Sequence, residues 1–234
     1  MTWSLLARDP LSGELGVIVA TRFFAVGALC ARVEAGVAAL ATQALINPLY
    51  APRGMALLRE GASPAEALAA LLAADAGRAA RQCHILAADG RIAQHTGADC
   101  LPWCGAVSAE NVSVAGNMLA GPRVVEDTLA AFLATEDLPM ALRMIHAMEA
   151  GEAAGGDARG KQSAALVVAS GEPYPDLDLR VDDHADPLAE LRRLHGVAQE
   201  RFVHFRCFLP GADHPGVFDR AVITAALKAA DSAP

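Results

Sequence analysis

The stretch MTWSLLARDPLSGELG, residues 1–16, runs from Thr2 to Arg8 through β-branched, aromatic and aliphatic residues, then meets Asp9, Pro10, Ser12 and Gly13. The first group suits an extended strand and the second a turn, after which Leu15 to Ala20 resume the strand pattern. The chain therefore opens as a hairpin whose first strand starts at residue 2. A threonine in that position becomes the N-terminal residue once Met1 is removed.

Working outward, the next apolar run, GVAALATQAL at 36–45, predicts a third strand over Val37 to Thr42. Two helices follow. The first covers about Pro52 to Glu60 and stops at Gly61. In the second, Ser63 is the N-cap, Pro64 takes the first helical position and Glu66 closes a capping box, with Leu68, Leu71 and Leu72 as the buried stripe. CHILAADGRIAQHTG then reads as two strands around Asp89-Gly90, a pair suited to a tight hairpin turn. GAVSAENVSVAG holds two more short strands.

A second helix pair starts after Pro122 and at Pro139, with Val125, Leu129, Phe132 and Leu133 on one face of the first and Leu142, Ile145 and Met148 on the second. QSAALVVAS at 162–170 and Leu177 to Val181 are strands. Asp186-Pro187 opens a long helix carrying Leu188, Leu191, His195, Ala198, Phe202 and Phe205, and a last helix covers roughly Val217 to Ala230.

Strands that are apolar on both faces need cover on both sides, and helices arriving in pairs supply it. The expected fold is α+β: a four-layer αββα sandwich, two mainly antiparallel sheets between helical layers. Hairpins recur where crossover helices would stand in a doubly wound parallel sheet, which disfavours that alternative. At 234 residues and 53% hydrophobic, with no linker and no repeat, the chain reads as a single domain over 1–234, with a C-terminal helical extension from about residue 210.

No apolar stretch approaches the ~20 residues of a membrane span, and no basic segment with an apolar core precedes a small-residue cleavage site, so the expectation is a cytoplasmic protein without membrane partners. The formal charge of −8, with Lys161 and Lys228 the only lysines, argues against nucleic acid as a partner. Five cysteines suit a reducing compartment better than a disulfide framework. Cys100 and Cys104 flank LPW without a second pair at zinc-ligand spacing, so no metal and no cofactor are expected there.

Four polar clusters interrupt the apolar elements. Thr2 combines a hydroxyl with an α-amine of pKa about 7.7–8.0 once it is terminal, a base suited to neutral pH; threonine is also simply a good strand residue. GNMLAG contains Gly116, Asn117 and Gly121, where a backbone can approach a ligand and an amide can donate to an oxyanion, or where a strand merely turns toward a helix. GGDARGKQSAAL at 155–166 crowds Gly156, Asp157, Arg159, Lys161 and Gln162 at a strand entrance, a pocket rim or anion nest if it is not just a solvated loop. In RVDDHADP, Asp182, Asp183 and His184 offer metal-ligand chemistry, but neighbours on a strand face opposite ways and Asp186-Pro187 starts a helix. No nucleophile elbow, P-loop, dinucleotide fingerprint or His-Glu-x-x-His motif is present.

Seven ordered blocks, WSLLARDP, VATRFFAVGA, ATQALINPLYAPRG, RQCHILAADGRIAQHTG, GNMLAG, GGDARGKQSAAL and LRVDDHADPLAELRRL, give the chain its resemblance to the domain of unknown function 1028 family over essentially residues 2–196. Members look like N-terminal-nucleophile (Ntn) hydrolases, so the resemblance implies that the nucleophile is the mature terminal residue, which maps to Thr2. It also implies Asn117 and Asp157 as oxyanion-holding and orienting groups, with Arg22, Thr42, Gln43 and Gln162 at the same end of the sheets. Gly116, Gly156 and Arg159 complete the expected ligand-binding set. The expected activity is amide-bond hydrolysis by Thr2; the alternative is a non-catalytic protein that binds a small polar or peptide-like ligand. A homodimer is the expected assembly.

Overall fold

The computed structural model describes residues 2–231. By packing they fall into two compact units, one ending at Leu191 and the other starting at Arg192.

In the first unit, β1 (Thr2–Arg8) and β2 (Leu15–Thr21) form the opening hairpin, with Trp3 opposite Ala20 and Arg8 opposite Leu15. Its turn is held by Asp9, whose Oδ1 accepts from the Leu11 and Ser12 amides at 2.7 and 3.2 Å, and those N–H groups hold the carboxyl below its ordinary range. Gly13, at φ 77°, supplies the left-handed residue that returns the chain.

The chain continues through β3 (Ala31–Glu34), β4 (Ala38–Ala44), α1 (Tyr50–Arg59), α2 (Pro64–Ala73), β5 (Arg81–Ala87) and β6 (Ile92–Thr96). It then adds β7 (Gly105–Ala109), β8 (Val112–Asn117), α3 (Arg123–Leu133), α4 (Met140–Ala153), β9 (Ser163–Ala169) and β10 (Leu177–Val181). One sheet has six strands in the order β10-β9-β2-β1-β8-β7 and the other has four, β3-β4-β5-β6, with antiparallel neighbours throughout. α3 and α4 cover the outer face of the six-stranded sheet, α1 and α2 that of the four-stranded sheet, and the two sheets meet through β1, β2, β4, β5 and β8. This is the four-layer α+β sandwich.

Alternation along β1 sends Leu6 inward to pack with Val17, Val19, Ala39, Ala41 and Leu86 between the sheets. Trp3 points the other way, toward Gly151 of α4. The opposite face of the four-stranded sheet puts Leu40, Cys83 and Ile85 against Met55, Leu68 and Leu71 of the helices. The capping box at α2 is present: Ser63 Oγ accepts from the Glu66 amide at 3.3 Å and Glu66 Oε2 accepts from the Ser63 amide at 2.8 Å. Two boundaries differ from the sequence reading. α1 begins at Tyr50, where Asn47 Oδ1 accepts from the Leu49 amide and turns the chain ahead of Pro52. β3 was not expected, because its four residues, ARVE, form a short half-exposed edge strand with no apolar alternation.

The helix expected from Pro187 runs as α5 (Pro187–Val197), a π-helical stretch over Ala198–Phe202 and α6 (Val203–Arg206). Within the second unit α6 packs against α7 (Arg220–Asp231), and Phe205 meets Phe208 edge to face at 6.5 Å. Among the described residues no helix is long and apolar enough to cross a membrane.

Candidate functional site

The layer between the sheets is apolar at the Leu6 end and polar at the Thr2 end. Along β1 the inward positions read Leu6, Ser4, Thr2; the facing positions of β4 and β5 supply Gln43, His84 and Gln82, and β8 adds Ser113 and Asn117. The seven of these residues other than Leu6 are polar and buried, so each must find its partners inside the protein.

The directions of these hydrogen bonds follow from the backbone carbonyls, which can only accept. Gln43 Nε2 donates to Ala115 O at 3.1 Å, which turns its Oε1 toward Ser4 Oγ at 2.8 Å. Ser4 therefore donates to Gln43, and its other neighbour, His84 Nε2 at 2.8 Å, must itself donate to the Ser4 oxygen. His84 Nδ1 then accepts from Ser113 Oγ at 2.7 Å, and Ser113 in turn accepts from Gln94 Nε2 at 2.9 Å. His84 is thus a neutral imidazole protonated on Nε2, and burial pushes its pKa down to about 3.

The same logic fixes the end nearest Thr2. Gln82 Nε2 donates to Gly116 O at 2.8 Å and Gly105 O at 3.1 Å, leaving its Oε1 to accept from Gln43 Nε2 at 2.9 Å and Asn117 Nδ2 at 3.0 Å. Both amides also reach the main-chain carbonyl of Thr2, Asn117 at 3.3 Å and Gln43 at 3.4 Å. The Thr2 hydroxyl donates to Thr21 Oγ1 at 3.1 Å on the neighbouring strand.

A cleft of about 660 Å³ opens over this polar floor. Thr2, Thr42, Gln43 and Asn117 line its base, and Phe23, Phe24, Leu29, Leu45, Ile46 and Leu101 are among the residues of its walls. Three lining residues, Ala25, Ala44 and Met118, have left-handed backbones at φ 52°, 68° and 52°. Such strain in non-glycine residues persists where the surrounding structure over-determines it, and it concentrates at functional sites.

Of the residues singled out from sequence, Thr2, Thr42, Gln43, Asn117 and Arg159 border this cleft. Asp157 is buried beside it: Oδ2 accepts from the Arg22 amide at 2.8 Å, Oδ1 from the Arg159 amide at 2.9 Å, and the Arg159 guanidinium closes an ion pair at 3.2 Å. Asp157 therefore ties together the loops after β2 and before β9. Arg22 and Gln162 lie outside the lining; Arg22 Nη1 donates to Gln162 Oε1 at 3.1 Å, and Gln162 Nε2 to Asp183 Oδ1 at 3.1 Å.

Gly116 and Gly156 also stand away from the cleft. A side chain at Gly116 would meet Leu119 and Trp3 on the helix-facing side of the sheet, and one at Gly156 would meet the Glu152 carboxylate. Asn117 is not aimed at an oxyanion, because the two hydrogens of its amide go to Gln82 and to Thr2. Asp182 pairs with Arg180 at 2.9 Å and the His184 ring turns back onto Asp186, so these neighbours do not converge. Among the described residues no group of three or more His, Cys, Asp or Glu side chains is placed to hold a metal. The five cysteines are free; burial raises the Cys30 thiol to about 12 and the Cys83 thiol further, which leaves both inert as nucleophiles at neutral pH.

Sequence reasoning singled out none of Ser4, Gln82, His84 and Ser113 as site residues. A signal was there: polar residues at alternate positions, 2 and 4 on one apolar strand and 82 and 84 on another, mark one polar face on elements that are otherwise buried.

The model of a family of unknown function, DUF1028, matches residues 2–191. The crystal structure of protein SPO2555 from Silicibacter pomeroyi, of the same family, aligns with a TM-score of 0.86 at 30% identity, covering 94% of this chain and 96% of that one. Anbu, the ancestral beta-subunit from Yersinia bercovieri, aligns with a TM-score of 0.41 at 12% identity over 90% of this chain and 99% of that one. No curated protein matches the chain.

Proposed function

The chain belongs to the family of unknown function DUF1028, and from that premise we propose that it is an amide-bond hydrolase whose nucleophile is Thr2, exposed as the terminal residue by removal of Met1. Met1 itself lies outside the described residues. The observation that carries this reading is the placement of Thr2: first residue of an interior strand, on the floor of the cleft, with its carbonyl held by Asn117 and Gln43 and its hydroxyl by Thr21.

In the reaction, the Thr2 α-amine takes the hydroxyl proton as Oγ1 attacks the amide carbon. Collapse of the tetrahedral intermediate breaks the C–N bond, the leaving amine collects that proton, and an ester remains on Thr2. Water, deprotonated by the same amine, then attacks the ester; the acid leaves, and Oγ1 recovers its proton. Asn117 and Gln43 act as positioning residues, since they grip the Thr2 carbonyl and fix where Oγ1 stands.

The test is intact mass of protein from its native host, followed by capture with a β-lactone that acylates nucleophiles. The expected result is a mass short by one methionine and label on Thr2, kept in Thr2→Ser and lost in Thr2→Ala. Quantitative retention of Met1, or label on another residue, overturns the reading.

One observation favours a second reading, ligand binding without catalysis: the side-chain amides nearest Thr2 already donate to protein acceptors, so none stands ready for an oxyanion. In that case Thr2→Ala keeps ligand-induced thermal stabilisation, whereas Asp157→Ala, which frees the loops beside the cleft, loses it.

A further inference from the structure

Resting on the hydrolase reading, we propose that the acyl part of the substrate is apolar and uncharged, a medium-length aliphatic or an aromatic acyl group lying along the Phe23–Phe24 wall with its amide carbonyl at Thr2. Three observations converge. The wall residues Phe23, Phe24 and Leu45 are 68%, 62% and 67% exposed, and they are neighbours around one concavity rather than scattered singly. Apart from Arg81, Asp99 and Arg159, the polar residues that line the cleft are Thr2, Thr42, Gln43 and Asn117, grouped around Thr2, where the scissile carbonyl is placed by the hydrolase reading.

Charge completes the argument. The two arginines that border the cleft are already neutralised, Arg159 by Asp157 at 3.2 Å and Arg81 by Asp75 at 2.9 Å, while Asp99 stands exposed at the edge. An acidic acyl group would find no unpaired arginine or lysine among the described lining residues, and an apolar one finds walls that water now wets. A cleft of about 660 Å³ lies inside the range of roughly 300–1,000 Å³ that accommodates a drug-sized molecule.

The experiment uses the full chain carrying Thr2→Ala, or the isosteric Thr2→Val if that folds better, titrated calorimetrically with N-acetyl-, N-hexanoyl-, N-decanoyl- and N-succinyl-glycinamide. Affinity is expected to rise about two- to fourfold per methylene along the neutral series, the upper figure being full burial of each group, and the succinyl compound should bind at least tenfold below the hexanoyl one. The double variant Phe23→Ser/Phe24→Ser is expected to flatten the series. A flat series in the parent, equal binding of the succinyl compound, or an unchanged slope in the double variant overturns the proposal. So does sedimentation showing a dimer that the double variant dissociates, since the walls would then be covered by a second copy. Wild-type protein with a free Thr2, given the same neutral series, separates the two readings: steep binding without release of glycinamide keeps the apolar ligand class and sinks the hydrolase.

Discussion

Ser4 and His84 meet at 2.8 Å between the two sheets, and because Ser4 gives its proton to Gln43, the imidazole is the donor. A ring fixed neutral in this way cannot take up a proton without placing a charge in a site that has no counter-charge.

A pH dependence follows. His84 is pushed by burial from 6.5 to about 3, so between those values the unfolded chain binds a proton that the folded chain refuses. Stability is full above about pH 6.5 and falls as pH drops, by up to about 1.4 kcal/mol per unit from this group. Urea midpoints from pH 7 to 4.5, a window above most carboxylate titrations, are expected to decline, and His84→Gln should flatten the decline. His195, also shifted down by burial, adds a residual slope in the same direction. A wild-type profile already flat across that window would contradict the assignment of a buried neutral ring.

Asn117 donates in both of its side-chain bonds, to Gln82 Oε1 and to Thr2 O. Replacement by Ala is expected to cost about 1–3 kcal/mol. Asn117→Asp should be worse than Ala despite its closer shape, since a carboxylate then faces two oxygen acceptors in a buried site. Chemical denaturation of both variants at pH 7 ranks them, and an Asp variant as stable as the parent would remove the role given to these two donated bonds.

Asp157 accepts from two backbone amides as well as from Arg159. Asp157→Asn keeps the shape but turns an NH₂ group onto one of those donors, so both Asn and Ala variants are expected to lose about 2 kcal/mol or more. Proteolysis should find the 155–162 loop first. Protection of that loop equal to wild type in either variant would remove the anchoring role given to this side chain.

At Gly151 two effects compete. Alanine in the last turn of α4 gains up to about 1 kcal/mol of helix propensity, but its methyl would collide with Thr128, Val124 O and the Trp3 indole. The Thr128 hydroxyl is itself bonded to Val124 O at 2.6 Å and cannot swing away without losing that bond. Overpacking of this kind costs about 1–3 kcal/mol, so Gly151→Ala is expected to lower the denaturation midpoint; an increase would mean that α4 sits further from β1.

The local features were legible in the sequence, since their signals span a few residues: the opening hairpin with its Asp9–Gly13 turn, the capping box of Ser63 and Glu66, and the paired helices. The αββα layering followed from their order. What did not show was whatever depends on meetings between distant strands. Gln43, Gln82 and Asn117 each sit in a different strand, and only the sheet registers reveal that their amides converge on Thr2. β3 carries too little apolar pattern to be told from a loop, and glycines 116 and 156 looked like ligand-binding residues when packing against Trp3 and Glu152 accounts for them.

The strand order also sets a timetable for biosynthesis. β1 leaves the ribosome before the strands that flank its hairpin, and Thr2 waits for Asn117, 115 residues later, before its second neighbour exists. At about 5–20 residues per second that interval is on the order of ten seconds. Throughout it the hairpin of β1 and β2 carries two open, strongly apolar edges, since β9 arrives later still. The nascent chain is therefore an early client for whatever shields such edges during synthesis, and slower translation lengthens the exposure.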